Sequence, residues 1–118
     1  MMILTKALRN KLIENFIEQE KKMVEDGDSI DFKPVVKFFN PCGAATWLIT
    51  EMDPDTNIMF GLCDLGFGTP ELGYVSLDEL MSIRVGFGLK IERDRNWKAT
   101  KTLHEYTTES YTSGRLNA

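Results

Sequence analysis

The stretch Glu71-Leu-Gly-Tyr-Val-Ser-Leu-Asp-Glu-Leu80 decides the fold class, because it reads as a strand that runs directly into a helix. Leu72, Tyr74 and Val75 have the short β-favouring pattern of a half-buried strand. Ser76 and Glu79 then form a Ser-x-x-Glu capping box ahead of the apolar pair Leu77 and Leu80. In such a box the serine hydroxyl accepts from the backbone N–H three residues on, and the glutamate reaches back to the serine N–H. These two bonds satisfy donors that the first turn of a helix leaves without partners.

Upstream of this joint the chain alternates between turn chemistry and short apolar runs. Thr5 is placed to cap a helix from Lys6 to about Glu25, in which Leu8, Leu12, Ile13, Phe16, Ile17, Met23 and Val24 recur at spacings of three and four. Gly27 and its acidic neighbours end that helix. Pro34 opens a strand over Val35–Phe39 whose nearly continuous apolar character predicts burial on both faces. Asn40-Pro-Cys-Gly43 is a turn, and a second strand over Thr46–Met52 is expected to point Trp47, Ile49 and Glu51 one way and Leu48, Thr50 and Met52 the other. A third strand covers Ile58–Cys63.

Downstream, the capped helix is expected to span Leu77 to Ile83, after which Gly86 and Gly88 break it and Leu89 and Ile91 mark a last extended segment. Thr100 is read as the cap of a short helix over Lys101–Tyr106, and residues 107–118, which lack apolar periodicity, are read as a flexible tail. The expected architecture is therefore a single α+β domain over 1–106. It has a mostly antiparallel sheet of four to five strands, packed by a long N-terminal helix and one or two short ones.

Composition narrows the function classes. A chain of 118 residues with 42% hydrophobic and 27% charged residues buries roughly 65% of its unfolded surface and forms a real core. No apolar run reaches the roughly 20 residues needed to cross a bilayer, and Met1 to Arg9 has no signal-peptide pattern, so a cytoplasmic protein is expected with no membrane partner. Cys42 and Cys63 lack metal or redox spacing and are expected to be free thiols. The net charge of −4 conceals a split: residues 28–82 sum to −7 and residues 83–118 to +3.

No motif asks for a metal or another cofactor. Asp53, Asp55, Asn57 and Asp64 stand near calcium-loop spacing, but Ile58 occupies the position that requires glycine, and the flanks read as strands. Asp64-Leu-Gly-Phe-Gly-Thr-Pro70 lacks both phosphate-loop patterns and returns to a strand. The lone His104 has no nucleophile or carboxylate placed with it by spacing. No catalytic residue is assigned.

Several blocks resemble a known family: Val36-Lys-Phe-Phe-Asn-Pro41, Ala45-Thr-Trp47, Phe60-Gly-Leu-Cys-Asp64, Glu71–Leu80 and Gly88-Leu-Lys-Ile-Glu-Arg-Asp94. Together with Leu4-Thr-Lys6 they are similar to a small bacterial domain family of unknown function whose members are carried on plasmids, conjugative elements and phages. The resemblance covers about residues 2 to 98 and leaves the C-terminal tail outside it; the Asp64–Pro70 loop and the long helix and loop before Pro34 depart from the pattern. It implies an accessory protein that touches host or element machinery, and it brings no activity or site residue.

Three functional readings follow. The first is a non-enzymatic module that binds an unidentified protein partner through its acidic middle or its mixed-charge face. The second is an enzyme or small-ligand pocket in which Asp64, Glu71, Arg93 and Asp94, with Glu92, converge. The third is nucleic-acid binding through Lys90, Arg93, Arg95, Trp97, Lys98 and Lys101, where cations hold a phosphate backbone and the indole stacks a base. Nothing in the sequence fixes an oligomeric state.

Overall fold

Residues 3–118 are described by a computed structural model; Met1 and Met2, with which the N-terminal reading began, lie outside the described residues. Thr5 caps helix α1 (Lys6–Asp26) by accepting from the Leu8 N–H, and Gly27 ends it in the left-handed conformation that costs glycine least. Strands β1 (Val36–Phe39), β2 (Thr46–Met52), β3 (Ile58–Asp64), β4 (Glu71–Ser76) and β5 (Glu92–Arg93) form one antiparallel sheet in the order β4-β3-β2-β1-β5. The fold is α+β, as expected. Helix α2 (Leu77–Ser82) follows β4 directly, with Ser76 Oγ accepting from the Glu79 N–H at 3.2 Å; the return bond from the Ser76 N–H to the Glu79 carboxylate, expected of a full capping box, is not made among the described residues.

The sheet carries a core on each face. On one, α1 and α2 cover Phe38, Trp47, Ile49, Met52 and Met59 with Leu12, Leu77 and Leu80. On the other, helix α3 (Leu103–Ser113) covers Leu48 and Leu62 with Leu103 and Tyr106.

Strand β2 does not keep the simple alternation expected of it. A bulge falls between Ile49 and Glu51, so that Ile49 pairs with Gly61 while Glu51 pairs with Phe60. One extra residue reverses the facing of everything after it. Met52 therefore joins Ile49 in the α1 core, and Glu51 turns to the face of Phe60. Thr50 is the inserted residue; its carbonyl accepts from Asn15 Nδ2 on α1 at 2.9 Å. Gly61 makes the crossing possible, because a Cβ there would lie 1.9 Å from the Leu48 carbonyl oxygen.

Three further expectations are corrected. Strand β1 is buried on one face only: Val36 and Phe38 are in the core, while Lys37 and Phe39 are half-buried. Strand β4 is an edge strand whose outer face no helix reaches, leaving Leu72 41% and Tyr74 77% exposed. The last helix neither starts at Lys101 nor stops at Tyr106. Thr102 and Glu105 make the full reciprocal capping box, and the helix runs to Ser113 with Gly114 as its left-handed end. Its buried stripe is Leu103, Tyr106, Thr107 and Ser110. The two hydroxyls donate back to Leu103 and Thr107 carbonyls at 2.7 and 2.9 Å, so they enter the core satisfied.

Gly61→Ala is expected to destabilise the fold by more than about 3 kcal/mol, since backbone rather than a flexible side chain blocks the new methyl. Gly73→Ala, where a Cβ meets nothing within 4 Å, is expected to change stability by no more than about 0.5 kcal/mol. Urea unfolding of the two variants measures the difference.

Candidate functional site

The sheet register locates every residue singled out from the sequence. Glu71, Cys63, Trp47, Phe38 and Arg93 form one row, each paired with the next across all five strands. Four inter-strand spacings of about 4.8 Å place Glu71 and Arg93 on opposite edges, roughly 19 Å apart. They neither pair nor share a pocket. Asp64 points to the other face, where its carboxylate accepts from the Gly66 N–H and the Leu116 N–H, both at 2.8 Å. It is 4% exposed and holds the β3–β4 loop and the C-terminal segment together. Glu71 stands exposed beside Cys63, whose thiol is pushed up to about 11 by burial and by that carboxylate. The expected convergence of Asp64, Glu71, Arg93 and Asp94 is not made.

Arg93 and Asp94 do adjoin the basic set. Arg93 Nε donates to the Ile3 carbonyl at 2.9 Å, fixing the guanidinium at the edge of the α1 layer. Asp94 sits 3.9 Å from Lys37 and also accepts from the Asn96 N–H at 3.3 Å, which turns the chain outward after β5. Because β5 has only two residues, it covers Phe38 and Phe39 and leaves the first half of β1 without a full neighbour. The segment from Asp94 to Ala99 then runs past that gap and opens a groove.

This groove, a cavity of about 460 Å³, is lined by Lys11 of α1, Lys33 of the preceding loop, Arg93, Arg95, Trp97 and Lys98, with Asp94 its one acid. A second cavity of about 550 Å³ continues it through Arg93 and Arg95 to Lys90, with Glu92 on its wall. Six cations and two carboxylates thus follow one edge of a chain whose net charge is −4. Lys90, Arg95, Trp97 and Lys98, the residues expected to contact nucleic acid, all line this band. Lys101 does not; it pairs with Glu109 of α3 and lies over the Tyr106 ring.

Trp97 has two roles. It packs on the Leu48, Leu62, Leu103 and Tyr106 cluster, with its ring centroid 6.2 Å from that of Tyr106, and it also borders the groove. Sequence reasoning missed Lys11 and Lys33, which are brought in from 60 to 90 positions away by α1 and by the path of the chain into β1. No local spacing signals them.

Among the described residues no group of three or more histidine, cysteine or acidic side chains could hold a metal ion. Asp53 is engaged in its own turn, accepting from the Asp55 N–H at 2.8 Å, and lies at the opposite end of β3 from Asp64. No helix among those residues is long and apolar enough to cross a membrane.

If Asp64 is a structural tie rather than a ligand, Asp64→Ala lowers stability by about 1–3 kcal/mol, the cost of orphaning two backbone donors. Glu71→Ala changes it by no more than about 0.5 kcal/mol. Thermal unfolding of each variant distinguishes them.

Comparison with curated proteins and with solved structures found no match. A family model described as protein of unknown function, DUF2958, matches residues 3–117, past the C-terminal limit of the blocks that carried the resemblance and through the whole of α3. With sheet, both helical layers and the basic edge all inside that match, the chain belongs to the DUF2958 family.

Proposed function

We propose that this chain is a non-enzymatic binding module whose β5 edge holds the phosphate backbone of a nucleic acid. The observation that carries this reading is the continuous cationic band from Lys90 through Arg93, Arg95 and Lys98 to Lys33 and Lys11. Phosphates bound along such a band release condensed counterions, which supplies affinity without base recognition. Trp97 at the groove wall offers a π-face to an unstacked base, favouring single strands over duplex. Glu92 and Asp94 limit the net charge of the band, and Asp94 is already engaged by Lys37. The resemblance of the sequence blocks implies an accessory protein of a mobile element, with which a nucleic-acid-binding edge is compatible.

The test is anisotropy with a labelled oligothymidylate and a duplex of equal length, titrated with salt. Binding is expected to weaken with a slope of log affinity against log salt of about −2 to −3, as three or four phosphate contacts on a single strand require. Lys33→Glu with Lys98→Glu is expected to lower affinity at least tenfold, while Lys21→Glu, on the far part of α1, leaves it unchanged. No binding at low salt, or equal losses from both sets of variants, contradicts the reading.

A further inference from the structure

The opposite edge of the sheet has the reverse character. Between the C-terminal half of α1 and strands β3 and β4 lies a cavity of about 380 Å³, walled by Phe16, Met23, Phe60 and Tyr74 and entered by Glu51. Phe60 and Tyr74 pack ring to ring at 5.1 Å, and Tyr74 and Met23 stay largely exposed beside Ile58. A contiguous exposed apolar patch of this kind marks a contact surface.

Two features say what would cover it. The first is a ladder with one open side. The bond from the Leu77 N–H to the Asn57 carbonyl, at 3.0 Å, sets the phase of the β3–β4 pairing. Glu71, Gly73 and Val75 therefore bond to β3, while the N–H and C=O groups of Leu72 and Tyr74 point away from the sheet. β4 is the last strand of the sheet order, so these groups face no further strand among the described residues. An extended segment can add there as a sixth strand.

The second is uncompensated negative charge. Glu51 is 9% exposed, and among the described residues its carboxylate accepts only neutral bonds, from Gln19 Nε2 at 3.3 Å and Thr50 Oγ1 at 3.4 Å. Burial raises its pKa, which those bonds only partly counter. Glu20 and Asp53 line the same cavity, and none of the three makes an ion pair among the described residues. A cation entering the groove would meet a desolvated carboxylate, where charge pairing is stronger than at an exposed surface.

We infer that the β4 edge and this groove dock an extended segment of a partner protein in which lysine or arginine alternates with apolar residues, the cations on the face turned to the groove, where their stems lie over Tyr74 and their charges meet the field of Glu20, Asp53 and Glu51. This goes beyond the nucleic-acid reading and does not rest on it. A second copy of the chain is a poor occupant, because the only charged residue of its β4, Glu71, is itself acidic and leaves Glu51 without a cation.

The probe is a synthetic octapeptide of alternating valine and lysine, measured by calorimetry at physiological salt. Two control peptides carry glutamate for lysine, or N-methyl groups at alternate residues along one edge. The lysine peptide is expected to bind with both controls at least tenfold weaker, and Glu51→Gln is expected to weaken it about fivefold or more. Three results overturn the inference: no binding of the lysine peptide, affinity unaffected by N-methylation or by Glu51→Gln, or a dimer in sedimentation that the peptide does not dissociate.

Discussion

A single extra residue in β2 governs much of this structure. The bulge at Thr50 is held from both sides: Asn15 of α1 donates to its carbonyl, and Gly61 of β3 gives the strand room to pass beneath Leu48. Helix, central strand and neighbouring strand are thus locked at one point in the middle of the sheet. The reversal that follows sends Met52 into the α1 core and Glu51 out to the β4 groove. Without it, a carboxylate would face Met59 and Leu12, which the low dielectric there disfavours strongly.

The outer edges are consequences of strand length rather than of the core. Two residues of β5 are enough to finish the sheet but too few to cover β1, and the uncovered stretch becomes the floor of a cationic groove. At the other end β4 is long enough to pair with β3 along its whole length, yet no helix lies over Tyr74. The same five strands therefore present a line of cations on one edge and carboxylates with aromatic surface on the other. The cationic edge draws on all three charge segments of the sequence, with Lys11 from the first, Lys33 from the acidic middle and Lys90 to Lys98 from the basic end.

What was legible in the sequence was what depends on neighbours in the chain. Thr5, Gly27 and the Ser76–Glu79 pair mark helix ends through bonds spanning three or four residues, and each was readable. The bulge was not, because the alternation of Trp47 to Met52 is unbroken in sequence; Gly61 within an apolar strand was its one sign. Helix α3 was cut short because half of its buried stripe is Thr107 and Ser110, whose hydroxyls bond within the helix and so behave as core groups. The ligand cluster around Asp64 failed because strand alternation turns Asp64 and Glu71 to opposite faces, and the sheet order sends Glu71 and Arg93 to opposite edges. Lys90, Arg93, Arg95, Trp97 and Lys98 stay together in space because they are one continuous segment, while Lys101, three residues on, turns to Glu109 of α3.

The central claim is that the β5 edge is a phosphate-binding surface and the β4 edge is not. Backbone amide shifts, followed by NMR as a single-stranded oligothymidylate is added, test it most directly. The account predicts changes confined to Lys11, Lys33, Val35, Val36 and Lys90–Ala99, saturating together. Shifts clustered on Glu71–Ser76, or none at all at low salt, would contradict it.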